Sequence, residues 1–233
     1  MDFLTLDLGG VVLSVIMGVL FIIFGGSFGF FFLLAMIVFL VLSAIVTWIG
    51  IRSKRRLGIG QEPRGIKNVL ANGIPPLTMA LIFYLFALRG STNFAILFMI
   101  GMLAAVAAIT ADKFNSEIGV LSSRLPRMIF TWRKVKKGTS GGMSALGVVA
   151  GILAAFAVAL LIFIVLPQIM AVYVGSFSAI KAMIAITVAG FLGSVVDSIL
   201  GYYEEKGIGN KFTSNFVCGE AAGIIAIIIF LIL

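Results

Sequence analysis

Seven apolar stretches, most of them long enough to cross a lipid bilayer, take up the greater part of the chain: roughly residues 9–24, 28–51, 69–88, 93–111, 143–166, 178–200 and 217–233. A spanning helix needs about 20 largely apolar residues, and lipid offers no partners to an open backbone, so each stretch has to be helical. The first is short and is parted from the second only by Gly25-Gly26-Ser27. It reads as a span or as half of a hairpin, so about seven transmembrane helices are expected, with six as the alternative. Of 233 residues 61% are hydrophobic and only 11% charged, with a mean hydropathy of +1.22. An ordinary soluble domain is about half apolar and about a quarter charged, and no soluble core of this size could hide the excess. The expected architecture is therefore all-α and polytopic, a single transmembrane helical domain over 1–233. The N-terminus, Met1 to Asp7, lacks a basic region ahead of the first apolar run, so no cleavable signal sequence is expected.

The net charge of +8 is distributed by topology. Arg52, Lys54, Arg55, Arg56, Arg64 and Lys67 lie between the second and third stretches. Lys113, Arg124, Arg127, Arg133, Lys134, Lys136 and Lys137 lie between the fourth and fifth, and Lys206 and Lys211 between the sixth and seventh. The other loops hold only Arg89, with Lys181 near the start of the sixth stretch. Fifteen of the seventeen cations thus fall on alternate loops, the positive-inside pattern of a multi-pass protein of the cell membrane with a cytoplasmic N-terminus. This placement accounts for the charge through topology and the lipid bilayer, and no nucleic-acid partner is expected. Histidine is absent and Cys218 is the only cysteine. Any chemistry must rest on carboxylates, hydroxyls, amides and cations.

Nine acidic residues remain to be placed. Asp112 and Glu117 sit where the fourth stretch leaves the membrane, and Asp197 lies in the last turns of the sixth; the topology puts all three near one face. Ionisable groups within a span are costly and usually functional. At 100° per residue Gly190, Gly193, Ser194, Asp197, Ser198 and Gly201 share an arc of about 140°. The glycines alone suggest helix packing, but a carboxylate pressed against a neighbour in lipid requires a cation or donors. Asp112, Asn115 and Ser116 share a face through i,i+3 and i,i+4 spacing, whereas Glu117 points about 140° from Asp112 on a straight helix. For both acids to bind one ion, the helix must end or distort between them; otherwise Lys113 and Glu117 form an ordinary i,i+4 pair. Asn72 is placed to bind a nucleotide or to cap its helix, Glu220 to pair with Lys206 or Lys211, and Pro75-Pro76 to break the third span near its entry.

The run Trp132-Arg133-Lys134-Val135-Lys136-Lys137-Gly138-Thr139-Ser140-Gly141-Gly142-Met143-Ser144 leads into the fifth stretch. Glycines free the backbone to aim N–H groups at an anion, and a helix start adds its dipole. The order of a Walker A loop is absent. Gly138, Thr139, Gly141 and Gly142, helped by Ser144, are read as a phosphate cradle, with Arg133, Lys136 and Lys137 neutralising charge. Carboxylates opposite a phosphate site imply Mg²⁺ between them, with Asp112, Glu117 and Asp197 as ligands and Ser116 or Ser198 as secondary ligands or water anchors.

Three strings, ADKFNSEIG at 111–119, GTSGGMSALG at 138–147 and GSVVDSILG at 193–201, together resemble an integral-membrane family that includes plant phytyl-phosphate kinase of vitamin E biosynthesis. Its pattern runs Ala-Asp-Thr-x-Ala-Ser-Glu-Ile-Gly, Gly-Thr-x-Gly-Gly-x-Ser-x-x-Gly and Gly-Ser-x-x-Asp-Ser-x-Leu-Gly, and VLANG at 69–73 also fits. Lys113 and Asn115 depart from it. So does the stretch from Ser214 to Cys218, where only Asn215 and Val217 of the family's Asn-Asn-x-Val-Asn remain. The resemblance implies a kinase at the cytoplasmic face that converts a prenyl monophosphate to the diphosphate, with CTP or another nucleoside triphosphate as donor and Asn215 near the nucleotide. A CDP-lipid cytidylyltransferase or prenol kinase would use similar parts. A transporter would want its carboxylates near the midplane and often an internal repeat, and no repeat is evident.

Overall fold

A computed structural model describes residues 6–58 and 65–233; Arg64, counted above with the first basic loop, lies outside them. In chain order the helices are α1 (Leu8–Gly25), α2 (Gly29–Trp48), α3 (Ile51–Arg56), α4 (Ile66–Leu88), α5 (Thr92–Gly119), α6 (Ala145–Ala159), α7 (Ile162–Val172), α8 (Ala179–Glu204) and α9 (Lys211–Ile232). A two-residue ribbon, β1 (Arg127–Met128) against β2 (Gly142–Met143), braces the loop between α5 and α6. Among the described residues six stretches are long and apolar enough to span a membrane. The first, Leu8–Trp48, holds 41 residues and contains both α1 and α2. These run antiparallel, with Gly25 against Phe32 and Gly18 against Leu33, so the stretch is a hairpin and the helical legs number seven. At Gly29 a Cβ would fall on the Ile22 carbonyl oxygen; only glycine permits so tight a return.

α5 is the axis of the bundle. From Ala95 to Ala111 its residues are almost without exception buried, and α2, α4, α6, α8 and α9 all pack on it. The reason is its small-residue surface: without a hydrophobic force between helices in lipid, close backbone approach supplies the packing. Gly190 of α8 meets Ala107, Gly193 meets Ala108, Gly151 of α6 meets the Ala111 carbonyl and Gly101 faces the Gly223 carbonyl of α9. The glycine stripe of α8 therefore does the packing its spacing suggested. At 1.5 Å per residue the 28 residues of α5 extend about 42 Å, beyond a hydrocarbon core of about 30 Å. Its polar end, Asp112 to Glu117, is the overhang.

The loops carrying most of the cations gather at that same end. Asp7 meets Gly65, Gly50 meets Leu121, Lys54 meets Glu117, Lys211 meets Asp112 and Ser140 meets Glu204. The opposite end is closed by Gln168 donating to the Ser27 carbonyl and by paired hydrogen bonds between Asn93 and Val174. One expectation is overturned here. Pro75 and Pro76 do not break the third span: α4 continues through them, and Pro75 lies against Gly219 of α9, so packing holds the helix where the local chemistry would end it.

Candidate functional site

Asp112 on α5, Asp197 on α8 and Lys211 at the start of α9 converge at the polar end of the bundle. The Lys211 ammonium lies 2.6 Å from Asp197 Oδ2 and 3.5 Å from Asp112 Oδ2. Each aspartate stands seven residues, about 10 Å, before the last residue of its helix. Asp197 is buried, and its Oδ1 has no hydrogen-bond partner. Buried carboxylate oxygens are normally satisfied, and this one leaves the carboxylate open to a further partner. The cluster of two anions and one cation lines a cavity of about 250 Å³ together with Asn115, Ser116, Ser198 and the Gly138–Gly142 loop. Directly below, the bundle closes. A Cβ on Gly193 would sit 2.6 Å from Ala108 Cβ and 2.9 Å from both Ala222 Cβ and the Cys218 carbonyl.

The roof is the glycine-rich loop. Gly138 and Gly141 have φ of 89° and 75°, where side-chain-bearing residues are strained. Gly141 rests on the backbone of α8, where a Cβ would meet Tyr202 N at 2.6 Å and the Ser198 carbonyl oxygen at 2.7 Å. Two acids at the end of α8 clasp the loop. Glu204 accepts from the Ser140 and Ser214 hydroxyls, and Glu205 accepts from the Ser140 N–H at 2.9 Å. The picture of a cradle lined by free N–H groups needs correction, since Thr139 N donates to Lys136 O and Gly142 N to Thr139 O. Ser144 caps α6, accepting from Gly147 N, and donates to the Gly119 carbonyl. Arg133 and Lys136 are exposed, Lys137 partly so, and none of the three lines the cavity.

Glu117 does not join the aspartates. α5 stays helical to Gly119, so the 140° separation is realised. The Glu117 carboxylate is held by Lys54 at 2.6 Å and by Lys113. Lys54 also donates to the Val46 and Thr47 carbonyls at the end of α2, both at 3.1 Å. Among the described residues no three acids gather as a metal site. The three acids expected to share one ion therefore do not gather: Asp112 and Asp197 stand together on Lys211, and Glu117 stands apart. Ser116 and Ser198 border the cavity, but each hydroxyl donates to its own helix.

Against proteins of known sequence, residues 2–224 match the family described as integral membrane protein DUF92. The chain belongs to this family. Among DUF92 relatives, an uncharacterized membrane protein of Methanocaldococcus jannaschii is 34% identical over 226 residues, 97% of this chain and 86% of that one. Protein PGR of Arabidopsis thaliana is 31% identical over 186 residues, 74% of this chain and 64% of its own. Protein VTE6, chloroplastic, of the same plant is 25% identical over 195 residues, 82% of this chain and 54% of its own. The chain therefore spans less than two thirds of either plant protein. No solved structure matches it.

Seen on this DUF92 fold, Asn72 and Asn215 are neighbours. Asn215 Nδ2 donates to Asn72 Oδ1 at 3.3 Å, and Asn72 Nδ2 to the Asn68 carbonyl at 2.8 Å. Lys211 is the residue that sequence reasoning missed. In the sequence it reads as a loop cation and as a possible partner of Glu220, and its only further signal is a position across a short loop from Asp197. Glu220 pairs with neither Lys206 nor Lys211: Lys206 lies over the Tyr202 ring at 4.3 Å, and Lys211 takes the aspartates.

Proposed function

We propose that the chain is a prenyl-phosphate kinase, transferring the terminal phosphoryl group of CTP or another nucleoside triphosphate to a prenyl monophosphate. The observation that carries this reading is the Asp112–Lys211–Asp197 cluster beneath the glycine-rich loop. The resemblance of the three strings to phytyl-phosphate kinases, and the kinship with VTE6, support it. An oxygen of the acceptor phosphate forms a bond to the γ-phosphorus, the bond to the β-phosphate oxygen breaks, and the nucleoside diphosphate leaves. The acceptor is already an oxyanion, so no histidine base is required; positioning and charge neutralisation supply the catalysis.

The residues present fit Mg²⁺. Two carboxylates, one with an unpartnered oxygen, match an ion that takes one or two carboxylates together with substrate phosphates. Asp112 and Asp197 would hold it, and bound there it would neutralise charge on the phosphates. Lys211 would turn its ammonium from the carboxylates to phosphate oxygens, and the Glu204–Ser140–Glu205 clasp would hold the loop over the nucleotide. The cation-rich end would face the cytoplasm, where nucleotide is supplied. Labelling single cysteines placed in 201–216, in a Cys218→Ser background, from outside intact cells would overturn that orientation.

The tight meeting of α5, α8 and α9 at Gly193 supports an enzyme over a transporter. Purified protein incubated with prenyl monophosphates and γ-labelled nucleoside triphosphates should yield labelled prenyl diphosphate and unlabelled NDP. A CDP-lipid with release of pyrophosphate would make it a cytidylyltransferase instead and overturn the kinase reading.

A further inference from the structure

The cavity that holds the aspartates is one of three in sequence. Lys211 lines both it and a second, larger cavity of about 660 Å³ between the first turns of α4 and α9, bordered by Lys67, Asn68, Asn210 and Asn215. Asn68 in turn lines a third space of about 100 Å³ between α1, α2 and α4. The third has no charged side chain among its lining residues. Apart from Ser14, Asn68 and Asn72, its lining side chains are apolar, Met17, Phe21, Leu33 and Met36 among them. The order is therefore phosphate-binding cluster, cationic amide-lined cavity, apolar slot. It matches an amphiphile with an anionic head and a hydrocarbon tail.

We propose that the slot between α1, α2 and α4 receives the tail of the prenyl phosphate, with its head in the cavity of Lys67, Lys211 and Asn215. This inference rests on the kinase reading and adds where the acceptor lies and how its length is sensed. Asn215 is buried, and its Oδ1 is without a hydrogen-bond partner, so the head cavity is incomplete without a polar occupant. The two lysines give it the charge for a phosphate. The tail space, at about 100 Å³, is proposed to take a single chain.

The slot also has an outlet. On the other side of the α1–α2 seam a further apolar groove shares Ser14, Gly18, Leu33 and Leu40 with it and reaches Val15 and Val19, which face outward. Gly18 lines both spaces, and a Cβ there would already meet Leu33 Cδ1 at 3.2 Å. A short tail ends inside the slot, whereas a longer one passes Gly18 into the bilayer.

The test uses the full-length protein in detergent and a prenyl monophosphate carrying a diazirine on its last isoprene unit, made in a two-unit and a four-unit length. Irradiation and peptide mapping should place the two-unit probe on Met17, Phe21, Leu33 or Met36, in competition with unlabelled prenyl phosphate. Gly18→Leu should reduce competable labelling by the four-unit probe at least tenfold and leave the two-unit probe within about twofold. Met36→Phe narrows the slot from the opposite wall and should act in the same direction, should Gly18→Leu fail to fold. Equal labelling of these residues by a diazirine phosphatidylcholine, or labels confined to other helices, would overturn the slot. Mapping reads binding without turnover: if no nucleotide supports transfer but the labels fall in the slot, the kinase reading fails alone. Transfer that is indifferent to Gly18→Leu at both lengths overturns the slot and leaves the kinase standing.

Discussion

Asp112 and Glu117 stand five residues apart on one helix, yet their surroundings are opposite in kind. Asp112 faces Asp197 across a cavity, and the two share a single lysine whose side chain is 53% exposed. Glu117 lies on the other side of α5, its side chain 6% exposed, between Lys113 and a Lys54 that is 1% exposed. One region has two carboxylates on one ammonium, an unpartnered oxygen and room for a ligand. The other has a carboxylate bound by two cations, and one of those cations also closes the carbonyl end of α2. Burial of a charge is therefore no guide to function by itself; what separates the two is whether the local charge is already balanced. The aspartates can accept a cation, whereas Glu117 ties α3 and α2 to α5.

The largest effect is expected at Asp197. Asp197→Asn keeps the shape and removes the charge that, with Asp112, would hold the metal. Metal-ion stabilisation of developing charge is worth several kcal/mol, so kcat/KM for prenyl diphosphate formation should fall by at least about a hundredfold. The variant should still elute as a monodisperse species in detergent. Near-native turnover would remove the functional half of the contrast.

At Glu117 the loss should be one of stability. Glu117→Gln leaves the Lys54 ammonium buried without its anion, and breaking a buried pair in this way costs about 3–5 kcal/mol. Thermal unfolding in detergent should move down clearly. The double change Lys54→Met with Glu117→Gln should recover most of the loss, because the ammonium still left without this anion, that of Lys113, has a side chain 22% exposed. Turnover per folded molecule should stay within about threefold of the parent. An unshifted unfolding curve with abolished transfer would place Glu117 in the reaction and erase the distinction.

The contrast was partly legible beforehand. The 100° rotation per residue already set Glu117 away from Asp112, and only the wish for a third ligand argued for a distorted helix. What the residues could not disclose was Lys54, because its place depends on α3 folding back beneath α5, a tertiary event. The spans were legible because apolar length is imposed by the bilayer, but several helices run beyond the apolar segments that announced them: α5 to Gly119 instead of 111, α8 to Glu204 instead of 200, α9 from Lys211 instead of 217. Hydropathy reports the part in lipid, whereas the backbone stays helical into the polar overhang, and that overhang is where Asp112, Asn215 and Lys211 stand. The loop at 138–142 stands out in the sequence by its glycines. Its hydrogen bonds to Glu204 and Glu205 do not, since any acids nearby could have satisfied it.

A smaller effect is expected where this loop meets the cavity. Gly141→Val would put a side chain into Tyr202 N and the Ser198 carbonyl at a φ of 75°. The loop must then lift from α8, and nothing on it needs to touch nucleotide for the site to loosen. The nucleotide KM should rise on the order of tenfold, about 1.4 kcal/mol, and limited proteolysis should cut faster within 129–140. An altered KM with unchanged proteolysis would mean that Gly141 meets the phosphates directly and that the roof is a cradle after all.

The smallest effect should come from the basic run upstream. Lys136 is exposed and Lys137 partly so, and both stand outside the cavity that the aspartates line. Exposed charges contribute roughly 0–1 kcal/mol to an interaction, and at an ionic strength of about 0.1 M their field decays over about 10 Å. Lys136→Gln with Lys137→Gln should therefore raise the nucleotide KM by no more than about threefold in neutral detergent, and added salt should abolish even that difference. Such a result assigns the pair to attraction of an anionic nucleotide and to the membrane surface, leaving Lys211 as the cation at the centre. A rise of tenfold or more that persists in high salt would mean that the loop closes and carries these ammonium groups to the phosphates. The balance between the two ends of α5 would then describe only the open molecule, and the reacting site would draw its positive charge from the loop as well as from α9.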